Sequence, residues 1–498
     1  MNTHSLALLQ ALKNAEPPRC RRLLWSGETL LLCFNLGGLL TGGYVYLYDK
    51  QPPAAICAGF CLIQAVTCLL QLLKGNVLCA IFGFAQTAVL GIALAIQCAE
   101  SLNFDAIYTP AVYTPHLVNT AFAVLLSCSS IYYGLVCWLA PKQTWVWRAP
   151  DKGEIAFAKL VRNLSLPAGI LLLALTSLGI DIRQVAYGAQ DSQGNPIVQS
   201  SGLQLIALFL LAFALVSTAR VFRLRSFQFI IVATIVVSCI AYFLTMHGDR
   251  SGTLVILTTL GFLFWFDAKN KTATKCLVLL IYCAAVFEFY QLWAFVRWNA
   301  VFYGLVGAIQ EYFNTSSNSA SRGAFDPLAV QLLPQSYWQL LHSIDLYQNG
   351  VALGLRRFFD LIPQSIPQFI SDYFGYERPI NGAWLLSQYR ITSGGFFVIA
   401  EAYWNSGVWG SLATSAALAG IAIGLERWYR RQSPLFSMTY LPIAGSFGFM
   451  LFYGMQPLVK ALEVSLCLGM GLKWLRRQYS LRATANFGGR SYAPASSR

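Results

Sequence analysis

The stretch 298–402 gathers Arg322, Arg356, Arg357, Arg378 and Arg390 without a single lysine or cysteine. A guanidinium is a planar fork that meets phosphate or carboxylate oxygens two at a time, so arginine without lysine points to an anion held in fixed geometry. In the same stretch His342 and Asp345 stand three residues apart in His-Ser-Ile-Asp-Leu-Tyr-Gln. On a helix that spacing shares one face, where a carboxylate orients an imidazole for acid–base chemistry, though the spacing also arises without function. Glu401 sits between Ile399 and Tyr403, where an apolar helix begins or re-enters. A carboxylate there is costly unless paired, so it serves either as a general base in a wet cavity or as a structural group bonded to backbone. A further cluster is His247-Gly248-Asp249-Arg250-Ser251-Gly252, whose glycines permit a sharp turn. Arg250 with Asp249 reads either as an ordinary interfacial pair or as an anion clamp leaning into a cavity.

The elements that carry these residues are set by composition. Apolar residues make up 56% of the 498 and charged residues only 11%, against about a quarter charged in a soluble domain. A helix needs about 20 mostly apolar residues to span the hydrocarbon core. Such runs fall at 24–47, 53–73, 76–98, 118–140, 163–180, 203–219, 228–246, 252–267, 276–298, 403–425, 434–454 and 457–475. Their continuity, without period-two alternation, selects helices over barrel strands. The expected fold is therefore an all-α polytopic membrane protein with about 12 transmembrane helices and one long extracytoplasmic loop holding short helices. The first run is too long, and lacks the small-residue pattern, for a cleavable signal.

Lysine and arginine orient the spans. With both termini in the cytoplasm, inner connections hold Arg19, Arg21 and Arg22, then Lys142, Arg148, Lys152, Lys159 and Arg162, and later Arg220, Arg223 and Arg225. Lys269, Lys271 and Lys275, then Arg427, Arg430 and Arg431, continue the pattern, and Lys473, Arg476, Arg477 and Arg482 close it. The short outer loops carry only Lys50, Arg183 and Arg250. The net charge of +14 is thus a topology signal and an attraction to anionic lipid. It is not a nucleic-acid footprint, since no folded domain concentrates it.

One membrane domain accounts for residues 1–483, with 298–402 as an active-site lid outside the membrane and 484–498 as a disordered cytoplasmic tail. The inner connection 141–162 is basic and amphipathic and reads as a helix on the membrane surface. Within the long loop, 301–313 and 335–349 have helical apolar spacing. The segment 354–373, with Arg356, Arg357 and several aromatics, suits the headgroup level. The thirteen cysteines lie almost all within spans and read as structural thiols. Four histidines without ligand spacing give no metal site, and no cofactor is implied. Glu288, and Lys460 with Glu463, are intramembrane charges that read as packing glue.

The turn His-Gly-Asp-Arg-Ser-Gly resembles the Gly-x-Arg outer turn of the bacterial oligosaccharide repeat-unit polymerases of the Wzy type. The later Ser-Gly-Gly-Phe-Phe-Val-Ile-Ala-Glu-Ala-Tyr-Trp-Asn-Ser-Gly-Val-Trp-Gly is similar to that family's glycine-rich Glu-x-Tyr-x-Asn-x-Gly-x-x-Gly element. The chain departs from the family at Asn405-Ser406-Gly407, where an aromatic residue is common in the middle position. The resemblance implies a multi-pass glycosyltransferase of the bacterial inner membrane. It joins polyprenyl-diphosphate-linked oligosaccharides at the outer face, among membrane lipids, with a chain-length regulator and a flippase as partners and no nucleic acid. It also implies that Arg250, oriented by Asp249, and Arg378 and Arg390 hold diphosphates. Arg356 and Arg357 then grip headgroup or glycan, and Glu401, or His342 with Asp345, is the base. An O-antigen-ligase-type transferase and a non-enzymatic carrier or flippase of lipid-linked sugars are the competing readings. A carrier should line several spans with polar residues at mid-membrane.

Overall fold

Long apolar runs fold as helices because a bilayer offers no water to unpaired backbone groups, and a helix satisfies them within one segment. The computed structural model follows that rule. It describes residues 18–50, 53–98, 114–142, 151–177, 202–222, 224, 226–247, 251–267, 303–304, 306–314, 332–361, 363, 373–376, 382–389, 396–431, 434–452 and 454–488, with scattered residues in 275–292. Among the described residues seven helices are long and apolar enough to cross a membrane, and shorter apolar helices cover Phe227–Ala241 and Val255–Phe266. The chain is an all-α, multi-pass membrane protein with at least seven candidate spans.

The first four spans keep close to their expected limits as α1 (Pro18–Tyr48), α2 (Ala54–Leu73), α3 (Val77–Cys98) and α4 (Pro115–Leu139). The fifth differs. Residues expected to lie separately on the membrane surface form the first turns of α5 (Lys152–Ser177) instead. The reason is a reciprocal cap: Glu154 N–H donates to Asp151 Oδ1 at 2.7 Å, and Asp151 N–H reaches Glu154 Oε2 at 3.3 Å. Such a capping box starts a helix wherever it falls. After it come α6 (Gly202–Val221), α7 (Phe227–His247), α8 (Ser251–Asp267), α9 (Leu332–Gln348), α10 (Arg356–Phe359), α11 (Gly382–Tyr389), α12 (Val398–Arg431), α13 (Pro434–Met450) and α14 (Met455–Gly488). The span expected at 276–298 falls largely outside the described residues.

The chain divides into two compact units. The first comprises Met1–Trp145, Leu333–Arg357 and Leu386–Arg427. In it α4 packs on α1, α3 and α2, and is buried along most of its length. Small residues allow that approach: a Cβ on Gly38 or Gly42 of α1 would strike the hydroxyls of Ser130 and Ser127, the close backbone contact of a Gly-x-x-x-Gly face. Polar side chains then join the helices inside. Gln64 Nε2 donates to Ser129 Oγ at 2.9 Å, Thr87 and Tyr133 share a 2.8 Å bond, and Ser415 Oγ reaches Cys128 O at 2.7 Å and Gln86 Oε1 at 2.9 Å. At one end Glu28 pairs with Lys74 and with Lys142, and Arg427 donates to Leu139 O. There too the buried Glu426 accepts the Leu78 N–H at 2.9 Å, placing a carboxylate on the N-terminus of α3.

The second unit comprises Val146–Leu332, Phe358–Leu385 and Trp428–Arg498. Here α5 lies along α6, and α13 packs on α8, α14 and α6. Gly445 of α13 sits so close to α8 that an added Cβ would be 2.9 Å from Val255 O. Lys460 is half-buried and Glu463 exposed on α14.

Candidate functional site

The glycine-rich segment around Glu401 does not form one straight helix. Ser406 (φ −151°, ψ 24°) and Gly407 (φ 63°, ψ −153°) leave helical geometry within α12. Ser411 Oγ donates to Ile399 O at 3.0 Å, although twelve residues of unbroken helix would separate them by about 18 Å. The chain therefore turns back on itself: a short limb 398–405 folds against the long limb 408–431. Gly407 supplies the left-handed turn, where side-chain-bearing residues are strained. Gly410 supplies the contact, since its Cβ would collide with Ala402 O. Gly407 and Gly410, the two glycines of the Glu-x-Tyr-x-Asn-x-Gly-x-x-Gly spacing, are the positions where this hairpin leaves no room for a Cβ.

Glu401 lies in the short limb and is 4% exposed, flanked by the buried Tyr403, Trp404 and Asn405. Irregular backbone at membrane depth is tolerated only where protein or a wet cavity surrounds it. Here α9 provides that cover. Gln339, itself buried, accepts the Phe397 N–H at 2.7 Å. Eight residues on, Tyr347 stacks edge-on against Tyr403 with centroids 5.5 Å apart, and its ring fills the space a Cβ on Gly407 would need. These two contacts lay α9 alongside the short limb with both chains running the same way. His342 and Asp345 lie between these two contacts along α9, and both are half-exposed. Asp345 Oδ1 accepts from Asn349 Nδ2 at 2.9 Å.

The end of α9 is closed by glycine. Gly350 (φ 81°) N–H bonds Tyr347 O at 3.1 Å and Val351 N–H bonds Leu346 O at 2.9 Å, the double closure of a Schellman motif. The following loop is pinned to the hairpin: Trp404 Nε1–H donates to Val351 O at 2.5 Å and Leu353 N–H to Trp404 O at 3.2 Å. The second bond satisfies a carbonyl that the break in α12 would otherwise orphan. Directly after it come Arg356, exposed, and Arg357, half-buried, on the short α10. Exposed Leu355 and Phe359 flank them.

A second constellation stands at this end, and no spacing in the sequence marks it. Asp49 Oδ2 stands 3.1 Å from His116 Nδ1, and Asp49 Oδ1 accepts from Asn119 Nδ2 at 2.9 Å. The Asn119 hydrogen bond holds the Asp49 carboxyl below the usual carboxylate range; partial desolvation works against it and the His116 ring adds to it. Gln348 Nε2 of α9 lies 3.5 Å from His116 Nε2. The first unit thus brings Glu401, His342, Asp345, Arg356 and Arg357 into one compact body and adds Asp49, His116 and Asn119. Asp249, Arg250, Arg378 and Arg390 lie outside the described residues. No family model, curated protein or solved structure matches this chain.

Proposed function

We propose that the chain is a membrane glycosyltransferase that joins polyprenyl-diphosphate-linked oligosaccharides at the outer face of the inner membrane, building a polysaccharide. The observation that carries the reading is the broken hairpin at Ser406–Gly407, roofed by α9 and carrying a buried glutamate. A span built only to fill the membrane has no need of such a break, whereas a substrate site does. Charge supports this orientation: the opposite end of this unit gathers Lys74, Lys142 and Arg427, as a cytoplasmic end does, which favours an extracytoplasmic hairpin. Exposed Tyr44, Tyr48 and Trp409 at the hairpin end, and Trp138 at the other, are the aromatic types that favour membrane–water interfaces.

In this reading a hydroxyl of the incoming unit attacks the anomeric carbon of the growing chain, and lipid diphosphate leaves. Arginines stabilise the charge that develops on it, in a poorly hydrated cleft where fixed donors act strongly. Arg357, Arg356 and, from the same loop or the outer turn, Arg390, Arg378 and Arg250 (with Asp249) take that part. Glu401 in the hairpin, or His342 with Asp345 on α9, receives the hydroxyl proton in this reading. Four buried polar residues between the helices of the first unit do not favour a carrier, because Gln64, Thr87, Ser129 and Ser415 are engaged with one another or with backbone. The test is to supply lipid-linked repeat units, extracted from cells lacking this chain, to the purified protein with and without chelator. A ladder of chain lengths is expected, lost in Arg250→Ala and Arg390→Ala with insertion intact; transfer to lipid A core in place of a ladder makes it a ligase.

A further inference from the structure

Glycosyl transfer needs a proton acceptor that a sugar hydroxyl can reach, and Glu401 is only 4% exposed. An assembled acid–base pair stands at the same end of the unit, built from three separate elements. Asp49 closes α1 at φ 50°, the one non-glycine residue at positive φ among the described residues, with its N–H on Val45 O at 2.9 Å. Glycine or asparagine usually takes that closing position. An aspartate there turns its carboxylate sideways toward α4. Thr114 caps α4 by accepting the Leu117 N–H at 3.3 Å and Pro115 opens its first turn, which puts His116 opposite Asp49. Asn119, one turn further, steadies the other carboxylate oxygen at 2.9 Å.

The hydrogen-bond roles decide the tautomer. Asp49 Oδ2 is an acceptor, so Nδ1 of His116 carries the proton and donates to it across 3.1 Å. Nε2 then offers its lone pair, and the group nearest to it is the Gln348 amide nitrogen, a donor, at a long 3.5 Å. The side chains of His116 and Asp49 are 54% and 45% exposed, so that lone pair is reachable from solvent. Gln348 adjoins Tyr347, which packs on Tyr403 and covers Gly407, so consecutive residues of α9 link the pair to the hairpin.

We propose that His116, oriented by Asp49 and Asn119, is the base that accepts the proton of the acceptor hydroxyl. This rests on the glycosyl-transfer reading and displaces Glu401 and His342 from that one step. The hydroxyl oxygen forms the new bond to the anomeric carbon as the bond from that carbon to the lipid diphosphate breaks. The electron pair of the broken bond leaves with the diphosphate, and the hydroxyl proton passes to Nε2. The Asp49 carboxylate faces the imidazolium so formed, and the exposed ring returns the proton to water. Asp49 and Asn119 are positioning residues; they touch no substrate.

A mere latch tying α1, α4 and α9 together predicts different behaviour. Full-length protein in lipid nanodiscs is treated with diethyl pyrocarbonate, and labelled histidines are read by peptide mass spectrometry. Labelling of His116 is expected; a refractory His116 overturns the proposal whatever the enzyme does. The ladder assay follows with the extracted lipid-linked units. His116→Ala should lower turnover by about 10²–10⁴-fold with KM for those units unchanged, and added imidazole should restore part of it. Asp49→Gly keeps the left-handed cap while removing the carboxylate, and should lower turnover without lowering thermal stability in step. Wild-type turnover in His116→Ala, or loss that imidazole does not restore while the variant melts normally, overturns the proposal and leaves glycosyl transfer standing. Absence of a ladder from the wild type removes both.

Discussion

Single residues decide whether the hairpin forms. Gly407 is needed twice, for its φ of 63° and because the Tyr347 ring lies 2.9 Å from where a Cβ would sit. Gly407→Ala should therefore destabilise the unit by about 1–3 kcal/mol. In a double-mutant cycle, Tyr347→Ala removes the ring that a Cβ at Gly407 would strike, so Gly407→Ala should cost less in the Tyr347→Ala background than in the wild type, while the backbone part of the loss remains. No cost at all in that background would mean that the turn is unstrained. Asp49 makes a separate prediction about pH. Its carboxyl, held low by Asn119, favours the folded state above the ordinary Asp value of about 3.9, and that contribution disappears as pH falls through the lower folded value. The wild-type melting temperature should fall more steeply than that of Asp49→Asn on acidification below about pH 4. Parallel curves in differential scanning calorimetry would contradict the assignment.

At the scale of elements, helices in this protein are joined by close backbone contact and by hydrogen bonds, because apolar surface gains little by leaving lipid for another helix. The Ser415 hydroxyl ties α12 to α4 and α3 through Cys128 O and Gln86 Oε1. Ser415→Ala should cost about 0.6 kcal/mol and no more than about 1.7 kcal/mol, the range of such bonds in membranes. Denaturant unfolding in mixed micelles measures it, and a larger loss would place the bond in a wider network. Elements were also where the sequence spoke most clearly. Hydropathy located α2 to α4 within about three residues at each end, and α1 at its C-terminal end, since length and apolarity alone decide a span. It misjudged the start of α5 because an Asp151–Glu154 capping box overrode the amphipathic pattern. The hairpin was half legible: a re-entering helix was expected at Glu401, yet Ser406 and Gly407 do not announce a reversal as a proline would. The Asp49–His116 pair was not legible at all. Those residues end one span and begin another, and only the packing of α1 on α4 makes them neighbours.

For the whole molecule, the proposed chemistry requires the hairpin end to face outward. Unit 1 has a basic end (Lys74, Lys142, Arg427) and an end that carries Asp49, His116, α9 and the hairpin. In a cysteine-free background, single cysteines at Asn349 and at Lys142 should react with a membrane-impermeant maleimide in opposite sets of vesicles. Asn349→Cys should label in right-side-out spheroplasts and Lys142→Cys only in inverted ones; the reverse pattern would put the hairpin in the cytoplasm and end the proposal. With sidedness in place, the most direct measurement is of bond formation itself. Reconstituted protein given lipid-linked repeat units should release lipid diphosphate in step with a growing glycan ladder. Arg357→Ala should slow both by about 10²–10³-fold, the usual effect of removing a donor to developing charge. Lipid diphosphate that is not released, or an Arg357→Ala chain that polymerises at the wild-type rate, would contradict the account.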